Sequence, residues 1–226
     1  MEKKLRNYFM ISDAPRLIGV GMMILGAILL LAAWFVPIGW FFWVLMCVCL
    51  AGGPVVFWVT SSMRASEGEI DELIKRHTDD MGLTPDEESK YRKRLLDTAP
   101  KELHSYVYRE GLMLTNTKSG TVRSEEYAKA LLYLLSDGIL IIARTVSLIT
   151  EQKQEQTWEI PFALLEKAEL VSAKKQVNFG KKTFEVTETL LQITYDATTL
   201  SLPTQRDFEL EQFVEELPRL AAEHQN

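Results

Sequence analysis

The chain has 226 residues, with 25 Lys and Arg against 31 Asp and Glu and a net charge of -6. Lys3, Lys4, Arg6 and Arg16 stand against Glu2 and Asp13 at the start, so the first 16 residues carry +2 and the remainder -8. An acidic surface of that kind repels phosphate backbones and excludes nucleic acid as an expected partner.

Residues 17–63 are 47 in number and contain no Asp, Glu, Lys or Arg. A transmembrane helix takes about 20 apolar residues, so this run suffices for two crossings. A break at Val36-Pro37-Ile38-Gly39 predicts a transmembrane hairpin at 17–62, with helices over 17–36 and 38–60, after a cytoplasmic segment 1–16. A cleaved signal peptide fits poorly: its apolar region is typically ~7–15 residues, and Ala32-Ala33-Trp34 is a weak cleavage site. The positive residues precede the first helix or follow the second, at Arg64, Lys75 and Arg76. The positive-inside rule then predicts a multi-pass protein of the cell membrane with both termini cytoplasmic. Trp34, Trp40 and Trp43 would mark the outer interface and Trp58 the inner one.

Cys47 and Cys49 fall inside the second helix, about 200° apart around its axis, too divergent to pair, and read as small packing residues. Gly52-Gly53-Pro54 predicts a point of close helix approach. Neither span holds an ionisable residue of the kind that ion pathways and proton relays need, so the hairpin reads as an anchor.

An amphipathic helical segment is expected over 63–100. Ser66 with Glu69 forms a capping box, followed by Ile70, Leu73, Ile74, His77 and Met81 at helical spacing. Thr84-Pro85-Asp86-Glu87 opens a second helix expected to run towards Pro100. The acidic face of the first helix, with Glu67, Glu69, Asp71, Glu72, Asp79 and Asp80, argues against its lying on an anionic leaflet, and His77 reads as a packed histidine.

Residues 101–226 read as strands and a closing helix. Expected strands lie at 104–114, 126–135 and 139–149, the last two joined across Ser136-Asp137-Gly138. The stretch 115–124 reads as a polar turn region and 150–156 as a loop. Short strands follow at 158–160 and 167–173, then a hairpin of 183–195 and 198–202 across Asp196-Ala197. A capping box from Thr204 to Asp207 would start a helix with Phe208, Leu210, Phe213, Val214 and Leu217 on one face.

About seven antiparallel strands and a final amphipathic helix is the element order of pleckstrin-homology-like barrels. Three segments carry a closer likeness: Leu135-Ser136-Asp137-Gly138-Ile139, Trp158-Glu159-Ile160-Pro161-Phe162, and Leu202-Pro203-Thr204-Gln205-Arg206-Asp207-Phe208 leading to Phe213. On these the chain resembles bacterial membrane-anchored PH-like proteins of the YcxB-like type. The resemblance implies a two-helix transmembrane hairpin and a PH-like antiparallel β-barrel capped by a C-terminal helix; with the cytoplasmic helical segment read from its own pattern, the expected fold is α+β. The acidic segment 66–98 and Pro218 depart from that pattern. No activity comes with the resemblance.

The chain lacks His-Glu-x-x-His, Gly-x-Ser-x-Gly, Walker and Gly-x-Gly-x-x-Gly dinucleotide patterns, and His77, His104 and His224 are scattered. No catalytic residue, cofactor or metal is expected. The one cluster that invites a functional reading is Lys174, Lys175, Phe179, Lys181 and Lys182, between two predicted strands. Four lysines around one aromatic ring suit contact with anionic lipid headgroups, with Arg144 and Lys153 as candidate additions. A solvated hairpin tip that guards a strand edge is the simpler reading of the same residues. The expectation is a non-catalytic, membrane-anchored interaction module that binds a protein partner, another copy of itself or the inner leaflet. The alternative is a membrane enzyme acting on lipid or peptide there.

Overall fold

Helix α2 (Ala14–Ala32) runs back along α3 (Trp40–Ser62), and both are long and apolar enough to cross a membrane. These coordinates are a computed structural model, which describes residues 2–10, 14–33, 39–97 and 99–223. The predicted break at Val36-Pro37-Ile38, Trp34 and His224 lie outside the described residues. The chain divides into two compact units, Met1–Glu69 and Ile70–Asn226.

In the first unit, glycine sets the helix spacing. A Cβ on Gly19 would stand 2.9 Å from the Phe57 amide nitrogen, and one on Gly53 would stand 2.9 Å from the Gly19 carbonyl oxygen. Backbones this close leave no room for a side chain, which is how small residues tighten apolar helix pairs. The approach predicted at Gly52-Gly53-Pro54 is therefore centred on Gly53. Cys49 is buried in the same seam while Cys47 is exposed. The outward faces carry Leu, Ile, Phe and Trp; Trp40 is 79% exposed and Trp58 71%.

A short helix, α1 (Glu2–Met10), was not expected from the basic N-terminal segment. It buries Leu5, Tyr8 and Phe9 and is tied to the end of α3 through side chains and backbone. Asn7 Nδ2 donates to the Met63 carbonyl at 2.9 Å, and Arg64 Nη2 donates to the Tyr8 carbonyl at 3.1 Å. These bonds occupy carbonyls that a helix end would leave without intrahelical partners.

Helix α4 (Glu67–Thr78) spans the division between the units and begins with the predicted capping box: the Ser66 amide donates to Glu69 at 2.6 Å, and the Glu69 amide donates to Ser66 Oγ at 3.2 Å. Helix α5 (Pro85–Tyr91) opens with the Thr84–Glu87 box but stops well short of Pro100. The chain beyond it turns to pair with a strand end: Leu96 N donates to the Leu134 carbonyl at 2.9 Å and Ser136 N to the Arg94 carbonyl at 2.6 Å. Tertiary pairing overrides the helical pattern there.

Among the described residues the second unit has nine strands in three antiparallel sheets. The first sheet joins β1 (Lys101–Tyr106), β4 (Glu126–Leu135), β5 (Gly138–Ser147) and β6 (Lys153–Pro161) in that order. The third joins β7 (Leu165–Phe179), β8 (Lys182–Tyr195) and β9 (Thr198–Thr204). Between β1 and β4 in sequence, β2 (Leu114–Asn116) and β3 (Val122–Ser124) form a small hairpin in the region expected to be turns. Among the described residues none of the sheets closes into a barrel. A 3₁₀ turn, Phe162–Leu164, links β6 to β7, and α6 (Phe208–Glu223) follows β9.

One core gathers the inward faces of the four- and three-stranded sheets with α6: Leu103, Leu132, Ile141, Ile193, Leu202 and Leu217 belong to it. A second, on the other face of the first sheet, packs Leu131, Tyr133 and Leu140 against Tyr91, Met81 and Leu83 of the helical segment. Strands β4 and β5 are thus buried on both faces, which explains their nearly continuous apolar runs.

Several boundaries differ from expectation for physical reasons. Strand β6 begins at Lys153, inside the expected loop, because its first residues pair through backbone with Ala143–Val146 while their side chains stay in solvent. The β4–β5 connection is Ser136-Asp137, and Gly138 already pairs with Pro161. The cap of α6 is Asp207, whose Oδ1 accepts from the Leu210 amide at 2.7 Å, while Thr204 still belongs to β9.

Candidate functional site

The lysine-rich stretch is mostly strand. Residues up to Phe179 lie in β7 and Lys182 starts β8, which leaves only Gly180-Lys181 as the turn, with Gly180 at φ +62°. Lys174, Lys181 and Lys182 are exposed. Lys175 is engaged: its Nζ donates to the Tyr108 carbonyl at 2.6 Å and lies 3.6 Å from Glu188 Oε2. Phe179 is half-buried against a third apolar cluster of Leu114, Val177, Phe184 and Val186. The two candidate additions are occupied elsewhere. Arg144, 8% exposed, pairs with Asp80 and Glu155 and donates to the His77 carbonyl at 2.8 Å, and Lys153 lies 3.5 Å from Asp80. That network ties the end of α4 to β5.

The β7–β8 hairpin changes its buried face along its length. Leu170 opposite Leu191 faces the main core, whereas Val177 opposite Phe184 packs against the β2–β3 hairpin. Leu170 and Val177 are seven residues apart, so alternation puts them on opposite faces. Between them Ser172 and Thr189 form a register pair, their hydroxyls 2.9 Å apart.

Beyond that pair the main core opens into a polar cleft of about 550 Å³. Its walls come from the end of β1 (Ser105, Tyr106) and Tyr108 just beyond it, from Gly120–Arg123, from Glu185, Val186, Thr187 and Thr189, and from Thr204–Arg206. At its floor the inward stripes of three strands change character together: Leu103 gives way to Ser105, Leu191 to Thr189, and Leu202 to Thr204. Thr189 and Thr204 are register partners, 9% and 3% exposed. Tyr108 donates its hydroxyl to the Val122 carbonyl at 2.8 Å, and burial, with Glu188 adding to it, pushes its pKa up to about 12. It is a neutral wall at any physiological pH.

Sequence reasoning did not single out this cleft. The available signal was the replacement of an aliphatic by a threonine at the last inward position of two neighbouring strands, and it needs the register to be seen. Among the described residues no cluster of three or more His, Cys, Asp or Glu is placed to hold a metal ion. No protein-family model, curated protein or solved structure matches the chain.

Proposed function

We propose that this chain is a membrane-anchored, cytoplasmic PH-like interaction module of the YcxB-like kind, which binds a partner and carries out no catalysis. The observation that carries the reading is the layout of the second unit on the same chain as two apolar helices. A four-stranded meander is followed by a three-stranded meander and a terminal helix packed into the common core. With the β2–β3 hairpin set aside as an insertion between β1 and β4, this is the element order of a PH-like barrel. The apolar hairpin supports a multi-pass anchor, since exposed Trp, Phe and Leu side chains on both helices have no favourable place in water. The basic residues flanking it support both termini lying in the cytoplasm.

An interaction role is supported by apolar side chains that the second unit leaves in solvent, Leu164 and Phe208, the latter 71% exposed. Site-specific photocrosslinking in intact membranes tests it. A photoreactive residue at 164 or 208 is expected to give a discrete protein or lipid adduct, whereas one at exposed Lys118 is expected to give none. Absence of adducts from both 164 and 208 contradicts the interaction role.

A further inference from the structure

We propose that the cleft between β1, β3, β8 and β9 is a binding site for a neutral polyhydroxylated molecule, a sugar of one or two rings. This inference is independent of the membrane topology and of the PH-like reading.

Its volume, about 550 Å³, falls in the range of ~300–1,000 Å³ usual for small-molecule sites. The floor is built from hydroxyls where packing alone would favour carbon. Thr189 and Thr204 continue the inward rows of Leu191 and Leu202 and are buried, yet each spends a position on a polar group. Valine would fill either position with nearly the same shape and no hydroxyl, so the threonines keep hydrogen-bonding groups at the floor of the cleft. Thr189 is hydrogen-bonded to Ser172, and Thr204 donates to the Gln205 carbonyl at 3.1 Å. A hydroxyl that donates to the protein still offers lone pairs, so each retains acceptor capacity for a ligand.

Charge selects the ligand class. Arg123 and Arg206 line the cleft, which at first suggests an anion. Arg123, however, lies 2.9 Å from Asp71, Arg206 is paired with Glu211, and Glu185 adds a further carboxylate to the wall. Carboxylates therefore outnumber guanidinium groups, and a phosphate entering here meets no net positive field. Hydroxyls, an amide at Gln205 and neutralised ion pairs remain. These both donate and accept, as sugar hydroxyls do. Tyr106 and Tyr108 also line the cleft, beside the hydroxyls.

The test uses the full chain in nanodiscs of neutral phospholipid, prepared without glycoside detergents, which would occupy the site. Saturation-transfer NMR and calorimetry are run with methyl α-glucoside, maltose and myo-inositol, and with glucose 6-phosphate and inorganic phosphate as anionic counterparts. At least one of the three neutral probes is expected to bind with a Kd below about 10 mM. The Thr189→Val/Thr204→Val variant should weaken that binding by about tenfold or more, alongside the small Tm loss that two missing hydrogen bonds bring. Thr187→Ala, an exposed wall position, should weaken it too, and it decides the matter if the double variant loses stability. The proposal is overturned if no neutral probe binds, if these substitutions leave affinity unchanged, or if either phosphate probe binds about tenfold more tightly than every neutral one.

Discussion

Arg94 grips Asp137 with both arms of its guanidinium, Nε to Oδ1 at 3.0 Å and Nη2 to Oδ2 at 2.9 Å. The same Nη2 lies 2.7 Å from Glu159 Oε1 on β6, and the Glu159 carboxylate also accepts from the Tyr91 hydroxyl at 2.9 Å. One arginine thus joins the chain after α5 to the β4–β5 turn and to β6. Arg94→Ala should lower the stability of the second unit by roughly 1 kcal/mol, the upper range for a partly exposed pair, because two carboxylates lose their partner together. Chemical denaturation monitored by tryptophan fluorescence of Trp158 in a chain lacking the other tryptophans would read it.

The same contacts set an acid limit. Hydrogen bonding from Arg94 holds the Glu159 carboxyl below its ordinary value of 4.5, and hydrogen bonding from Arg144 holds Asp80 below 3.8. Both groups have depressed pKa values in the folded state, so their stabilisation is present above the ordinary values and lost as pH falls through the folded ones. Stability of the second unit should be flat from pH 7 to about 5 and decline below about 4. In Arg94→Ala the decline should be shallower. An identical acid slope in wild type and variant would show that the Arg94 contacts are not formed in solution.

Gly138 is required by close approach and not by turn geometry. A Cβ there would overlap the Ile160 carbonyl oxygen and stand 3.0 Å from Pro161 Cα. Gly138→Ala should cost about 1–3 kcal/mol, since the obstacle is the backbone of the paired strand β6 rather than a side chain that can turn away. A Tm equal to wild type contradicts that geometry.

The opposite outcome is expected at Ala197. Asp196 and Ala197 form the β8–β9 turn with φ of 45° and 56°, a conformation that a Cβ disfavours. Ala197→Gly should raise stability by about 0.5–1 kcal/mol, relief of strain outweighing the added chain entropy. A loss of stability would mean that the turn is not left-handed at this residue.

Much of this architecture is legible in the chain because each signal is local. Two capping boxes, the apolar run of the hairpin and the Asp196-Ala197 turn each depend on neighbours within a few residues. What escaped the sequence depends on partners far along it. Residues 153–156 form a strand although no apolar alternation marks them, since backbone pairing with β5 and ion pairs from Lys153 and Glu155 hold them rather than burial. Residues after Tyr91 carry a helical pattern and yet pair with Leu134 and Ser136. The lysine cluster was visible as composition, whereas the engagement of Lys175 by Tyr108 and Glu188 is a tertiary fact. The polar cleft was hidden for the same reason, because Thr189 faces Thr204 only through the β8–β9 register.

For the lysine hairpin, the exposed Lys174, Lys181 and Lys182 remain suited to anionic lipid, at up to about 1 kcal/mol each before screening. An environment-sensitive label at Asn178→Cys, in a chain with Cys47 and Cys49 replaced by Ala, reports contact directly. If the hairpin touches the leaflet, its emission shifts to the blue in anionic relative to neutral nanodiscs, and Lys174→Glu/Lys181→Glu/Lys182→Glu abolishes the shift. Equal emission in both lipids identifies the hairpin as solvated surface.

The central claim is an anchored module facing the cytoplasm, and cysteine accessibility in intact cells tests it most directly. Single cysteines are placed at Gly39, before α3, and at Ser119, in the β2–β3 hairpin, again without Cys47 and Cys49. A membrane-impermeant maleimide is expected to label Gly39→Cys from outside, and to label Ser119→Cys only after the membrane is opened. Labelling of Ser119→Cys in sealed cells, with Gly39→Cys protected, would contradict the account.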